Sequence, residues 1–347
     1  MIGSETARNR ISVRTSPYIR ILLAILLLLP PVGAARAESP VLAESALTRL
    51  RDQDAVLAAV VLRLSTANAA LCDRQMPGTG VVLHALNQYS PALLPSVKAM
   101  FGFAAPLSIE AVVPGSPSES AGLRANDGVL AIDGIAPPPD DGDGKPDTKV
   151  RDAVENRMVG LPAAAPQIWW VLRGTRELEL RIAPQPACRV RFELVPGSSL
   201  TARNDGLLIK LSARYLERYS PDELAVIIAH ELAHGVLAHR QRLVAAGVSK
   251  GLLAEFGRNG RLNRAVEREA DRLSVHLLRN AGYDPERAPR FWDQHGGELG
   301  GGLLRSRVYD SPADRAKLMR AEISTIPAGA PVPYLPPLLA ARDQPLM

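Results

Sequence analysis

Two histidines four residues apart, with a glutamate directly after the first, stand in the run Ile228-Ala229-His230-Glu231-Leu232-Ala233-His234-Gly235. On a helix this spacing puts His230 and His234 on one face, where two imidazole nitrogens can grip one Zn²⁺. Glu231 is then placed to take a proton from a water acidified by the metal. The chemistry implied is zinc-assisted hydrolysis. A third ligand has to come from another element, and the run Glu267-Arg268-Glu269-Ala270-Asp271 offers one. Glu267 and Asp271 are again four apart, so one carboxylate can bind metal while the other holds a ligand histidine from behind. Glu269 is the reserve candidate, on another face from Glu267. The rival arrangement, a third histidine six residues after the second, fails because position 240 is Arg240 and the required glycine position is Leu237. His239 reads as a structural histidine on the same helix, and His84, His276, His295, Trp169 and Trp170 read as core or strand residues.

These histidines need a helix, and Ser220-Pro221-Asp222-Glu223 begins one. Serine at the N-cap, proline at the first helical position and glutamate three residues after the serine make a capping box. The flanks Val226–Ala229 and Gly235–Ala238 carry no charge. They predict a buried helix whose histidines require partners.

His230–His234 together with Glu267-x-Glu-Ala-Asp271 resembles the HtpX-like and CAAX-prenyl-protease-like family of zinc gluzincin metallopeptidases, over about Cys188 to Ile326. The resemblance implies that His230, His234 and Glu267 bind one Zn²⁺ per chain. It makes Glu231 the general base and Asp271 an acid that supports a ligand or donates a proton. It also makes Asp205-Gly206-Leu207-Leu208-Ile209-Lys210-Leu211 the strand ahead of the helix, where an extended substrate adds by β-pairing. The family often carries His-Pro and then an arginine near the end of the domain; here Ser311-Pro312 stands in that place, with Arg315 and Lys317 nearby. His295, Arg315 and Lys317 are the candidates for stabilising an oxyanion.

Ahead of this block, from about Phe101, short β-like runs alternate with Gly/Pro turns up to Pro184–Pro186. Val113-Pro114-Gly115-Ser116-Pro117-Ser118-Glu119-Ser120-Ala121-Gly122-Leu123-Arg124-Ala125-Asn126-Asp127, followed by Val129-Leu130-Ala131-Ile132-Asp133-Gly134, resembles a bacterial, protease-associated PDZ domain. It reads as strand, turn, short helix ending at Gly122, then strand, with Asn126 where a glycine is usual and φ > 0 is needed. Ile168–Leu172 and Glu177–Ile182 flank Arg173-Gly174-Thr175-Arg176 as a closing hairpin. By resemblance, a C-terminal peptide would add as a strand beside the helix, with Phe101-Gly102-Phe103 as its carboxylate loop. Asp140–Asp147 looks like a calcium loop, but counted from Asp141 its fifth and twelfth positions are Lys145 and Asp152, so it reads as a surface turn.

The chain has 347 residues, a net charge of +5, and 22% charged against 46% hydrophobic residues. Residues 1–37 hold five arginines and one glutamate, so four of the five positive charges belong there. The remainder is too nearly neutral for a nucleic-acid footprint, and no nucleic acid is expected as a partner. Arginines, the apolar run Ile21–Leu29, Pro30-Pro31 and Ala35-Arg36-Ala37 make those residues a secretory signal peptide cleaved after Ala37. The apolar run is shorter than a membrane span requires, which makes an uncleaved inner-membrane anchor the lesser alternative and leaves no stable span after cleavage. A periplasmic or secreted location follows. In that oxidising setting the two cysteines, Cys72 and Cys188, can pair.

The expected fold is α+β, a mainly helical zincin metallopeptidase domain with a small sheet, preceded by a β-rich PDZ-like domain. Boundaries are a signal peptide at 1–37, an N-terminal helical segment at 38–100, the PDZ-like domain at 101–186, the metallopeptidase domain at 187–326 and a Pro-rich tail at 327–347 without structure of its own. Leu47, Leu50, Leu57, Val61 and Leu64 place a helix from Glu38 to about Thr66. The expected function is an exported zinc-dependent endopeptidase acting on envelope or misfolded proteins. The alternatives are a zinc-loaded chaperone or PDZ adaptor with weak or no proteolysis, and an aminopeptidase.

Overall fold

A computed structural model describes residues 40–142, 144–204, 206–248, 257–299 and 310–346; the leader expected at 1–37 lies outside them. The fold is α+β. Helix α1 (Pro40–Ala67) sets its leucines and valines at three- and four-residue steps, as the sequence predicts. Leu57, Val60 and Leu64 enter the same core as Ile228, Ala229 and Leu232 of the histidine helix. The helical segment expected at 38–100 is therefore not a separate piece. Its first half belongs to the later helical body.

After α1 the chain leaves that body along a two-stranded ribbon and returns on the same ribbon. Strand β1 (Gln75–Gly78) pairs antiparallel with β7 (Gln185–Cys188), with Gln75 opposite Cys188. Cys72 and Cys188 form a disulfide, Cα atoms 5.4 Å apart, at the foot of the ribbon. Between them lie β2 (Val81–Ala85), α2 (Leu94–Phe101), β3 (Leu107–Val112), α3 (Pro117–Ser120), β4 (Gly128–Ile132), α4 (Lys149–Val159), β5 (Gln167–Arg173) and β6 (Arg176–Ile182). They build one antiparallel five-stranded sheet in the order β2-β3-β4-β5-β6. Alternation on β5 buries Trp169 completely and leaves Trp170 exposed.

The sheet begins at Val81, not after Phe101. Phe101 ends α2 and is fully buried in an aromatic cluster with His84, Tyr89 and Phe103. Gly102, in the loop expected to hold a carboxylate at Phe101-Gly102-Phe103, stays exposed beside this packing. The short helix, by contrast, forms as read. Ser116 caps it, Gly122 follows with φ +83°, and Asn126 takes φ +71°. In the calcium-like stretch, residues 140–142 are exposed and Asp147 bonds Asn87, as a surface turn should; Asp143 lies outside the described residues.

Back in the body, β8 (Arg191–Val195), β9 (Ala202–Asn204) and β10 (Leu208–Ser212) form a three-stranded sheet in the order β8-β10-β9. Strand β10 pairs parallel with β8 and antiparallel with β9, so it has no free edge. Substrate addition to the strand at Leu207–Leu211 is ruled out by that pairing; among the described residues the outer strands of this sheet are β8 and β9. Then follow α5 (Arg214–Arg218), α6 (Pro221–Val236), α7 (His239–Ala245), α8 (Gly257–Asn280), α9 (Arg287–Leu299) and α10 (Pro312–Ile323). Helix α6 packs on α8, α9 and α1.

The tail is ordered by the body it crosses. Asn280 and Tyr334 exchange two hydrogen bonds, Arg342 donates to the Leu71 carbonyl, and Leu339 is buried in the main core. A 3₁₀ turn at Pro337–Asp343 carries the last of these contacts. Prolines that forbid a helix still allow this strap.

The disulfide closes a loop of 116 residues that contains the whole inserted sheet. Cys188→Ser is expected to destabilise the protein by about 2–5 kcal/mol, read from denaturant unfolding of the non-reduced protein. Equal midpoints for variant and wild type would contradict this.

Candidate metal centre

Helix α6 starts where the sequence predicts. The Glu223 carboxylate accepts from the Ser220 backbone N–H at 2.8 Å, and the Ser220 hydroxyl accepts from the Glu223 N–H. Leu224 to Ala229, Leu232, Ala233 and Val236 are buried. One stripe of the helix faces α8, whose own buried positions Leu262, Val266, Ala270, Leu273 and Leu277 recur at helical spacing. That packing brings Glu267 up to the two histidines.

His230 Nε2 lies 3.2 Å from His234 Nε2 and 3.3 Å from Glu267 Oε2; His234 Nε2 lies 3.7 Å from Glu267 Oε1. Ligand atoms held about 2.0–2.1 Å from a tetrahedral zinc stand about 3.3–3.4 Å apart. The donor set and its spacing fit Zn²⁺. These side chains keep 12%, 18% and 16% of their surface exposed, so the centre is reached from solvent on one side. Glu231, the next residue on α6, is partly buried.

Both imidazoles are held from behind, which leaves each Nε2 aimed at the centre. His230 Nδ1 lies 3.0 Å from Asp271 Oδ1. Arg315 clamps that carboxylate, with Nε 2.6 Å from Oδ2 and Nη2 2.5 Å from Oδ1. Its guanidinium stacks on Trp292, 3.4 Å from the ring centroid. Both Asp271 oxygens are thus engaged. Burial alone would raise the carboxyl, but Arg315 holds it below the ordinary range. Asp271 thus stands behind His230 as a charged partner of its Nδ1.

His234 is held by a residue whose expected role was different. Helix α6 stops at Val236 and Ala238 turns left-handed, φ +51°. His239 therefore opens a new helix, α7, instead of continuing the old one. It folds back so that its Nδ1 lies 2.9 Å from His234 Nδ1, while its Nε2 lies 3.1 Å from Glu269 Oε2. Glu269, the reserve ligand, is the far end of this relay. No glycine marks the break after α6, so the residue types alone carried no signal for it.

The other named residues lie elsewhere. His295 Nε2 bonds Glu223 at the start of α6, His84 bonds Tyr89, and His276 bonds Glu322. Ser311 caps α10, its hydroxyl accepting from the Asp314 N–H, and Lys317 is exposed. Arg315, an oxyanion candidate in the sequence, holds Asp271.

Two imidazoles this close do not both carry charge. Burial lowers His230, but its bonds to Asp271 and Glu267 outweigh this and raise it to about 10. Burial lowers His234. Burial pushes Glu267 up, and His234 and His230 outweigh it, bringing the carboxyl to about 2. In the metal-free chain the protonated His230 therefore adds stability below about pH 6.5 that is lost as pH rises through about 10. The Glu267 carboxylate adds stability above about pH 4.5 that is lost as pH falls through about 2. Between these limits the site holds one proton. Zinc is expected to displace it, releasing about one proton per metal near pH 7–8. Calorimetry in buffers of different ionisation heat checks this; no proton release would contradict it.

No family model matches the chain. Over 122 residues it is 33% identical to the mitochondrial metalloendopeptidase OMA1 of Arabidopsis thaliana, a match that takes in 29% of this chain and 24% of that protein. The chain thus spans about a quarter of that relative's length. The crystal structure of the HtrA3 PDZ domain bound to a phage-derived ligand aligns with 33% of this chain and 89% of its own, at 19% identity and TM-score 0.24.

Proposed function

We propose that the chain is an exported zinc-dependent endopeptidase that cuts envelope or misfolded proteins. The observation that carries this is the His230–His234–Glu267 triangle with Nδ1 of each histidine held from behind. The stretch shared with a metalloendopeptidase supports it. Zinc held there would polarise the scissile carbonyl and lower the pKa of a bound water toward about 7. Glu231 takes the proton from the attacking water and returns it to the leaving amine. Asp271 and His239 act through the histidines, fixing their tautomers so that each presents a bare Nε2.

The leader at 1–37 and the closed Cys72–Cys188 pair both favour an oxidising compartment outside the cytoplasm. No helix among the described residues is long and apolar enough to cross a membrane. Protein and peptide chains are the proposed substrates. The inserted sheet is proposed as a PDZ-like module that receives a C-terminal peptide. A cavity of about 170 Å³ beside its edge strand β2 and helix α4, lined by Leu57, Val61, Met76, Leu83, Met158 and Phe192, favours a place near Gly78-Thr79-Gly80 over Phe101-Gly102-Phe103.

Quenched peptides blocked at both ends test the reaction class. An endopeptidase cuts them. Turnover confined to peptides with a free amino terminus would make the chain an aminopeptidase, and peptide binding without turnover would favour an adaptor.

A further inference from the structure

We propose that the strap at residues 337–346 is a working part of the metal centre. It pins α7 against α8 and, through Arg242, Glu269 and His239, sets the tautomer and aim of His234. This rests on the metal-site reading above.

Helix α7 has seven residues, too few to hold itself in water. Its direction is not inherited from α6 either, because the left-handed Ala238 separates the two. Something outside must place it. Arg242, in its middle, is buried, and Nε donates to the Gln344 backbone carbonyl at 3.0 Å. The same guanidinium donates to both Glu269 oxygens, Nη1 at 2.5 Å and Nη2 at 3.2 Å. Two residues along the strap, Leu346 is buried against Leu262 and Val266 of α8, with Leu243 of α7 packed on the cluster. The strap therefore touches both helices at the point where α7 meets α8.

From there the relay has one consistent assignment of protons. A ligand histidine offers Nε2 only when its proton sits on Nδ1. His234 Nδ1–H then donates to His239 Nδ1, and His239 Nε2–H donates to Glu269. The opposite tautomer of His239 would set N–H against N–H. Glu269, fixed by Arg242, selects the right one. If Arg242 or α7 drifts, His234 loses its orienting partner although neither touches the metal.

The test is zinc affinity, by competition with a chromophoric chelator, for the full chain carrying Leu346→Asp, His239→Ala, both together, or His239→Gln. Leu346→Asp and His239→Ala are each expected to weaken zinc binding about 10–100-fold, the range for losing a partner behind a ligand. The double variant is expected to lose no more than the weaker-binding single one, since both cut one relay. His239→Gln, whose amide can accept from His234 and donate to Glu269, is expected to recover most of the loss. A merely structural strap would give additive losses and no rescue. Additive losses, or Leu346→Asp within about two-fold of wild type, overturn the proposal while leaving the metal site standing. A wild-type chain that binds no zinc overturns both. If Leu346→Asp does not fold, Leu346→Ala serves in the same cycle.

Discussion

Glu231→Gln is expected to abolish peptide-bond cleavage while leaving zinc at one per chain. The amide keeps the size of the side chain and its place on α6, between a buried stripe and the partly open metal face. It cannot accept a proton at neutral pH, so the loss should be at least the 10²–10⁴-fold, roughly, that a positioned base contributes. None of the three ligand atoms belongs to Glu231, so metal content should not move. Cleavage at near wild-type rate by a zinc-loaded variant would remove Glu231 from the chemistry. Zinc loss in the variant would mean that Glu231 holds the metal instead.

Arg315→Met is expected to have the largest effect on stability. Arg315 and Asp271 form a doubly hydrogen-bonded pair with side chains 6% and 1% exposed. Removing Arg315 leaves the buried Asp271 charge with the weaker compensation of the His230 bond, at a cost of up to about 3–5 kcal/mol. The same change frees the carboxylate that orients His230, so zinc affinity should fall about 10–100-fold. Arg315→Lys should not rescue it, because an ammonium cannot make the two-pronged contact or stack on Trp292 in the same way. Adding Asp271→Asn to Arg315→Met should recover part of the stability by removing the stranded charge. A stability loss under about 1 kcal/mol would contradict the buried-pair reading.

The grouping of His230, His234 and Glu267 was legible because its geometry is local. A capping box fixes where α6 starts, and spacings of four place His230 with His234 and Glu267 with Asp271 on shared helix faces. What lies behind the ligands was less legible. Arg315 reaches Asp271 from α10, 44 residues on, and only the packing of α10 on α8 and α9 joins them. His239 opens α7 although nothing in Gly235-Val236-Leu237-Ala238 announces a left-handed residue. A non-glycine residue takes that conformation only when the surroundings demand it.

Contacts between segments distant in sequence were hidden for a similar reason. Periodicity finds α1 but does not say that Leu57, Val60 and Leu64 pack with Ile228 across the inserted sheet. That the sheet is an insertion follows from β1 pairing with β7, a contact between residues more than a hundred positions apart. Short strands such as β1 and β2, in a stretch with Pro77, Gly78 and Gly80, give little periodic signal. The prolines of the strap give it no structure of its own. Its order comes from Asn280, Arg242 and the Leu71 carbonyl, all distant in sequence.

The most direct test of the central claim is digestion of casein by the purified chain, followed by mass spectrometry of the fragments. The account predicts internal cuts that stop with a zinc chelator and return when one equivalent of zinc is restored. Internal cleavage that continues at full rate in the chelator, with the chain shown to be zinc-free, would contradict it.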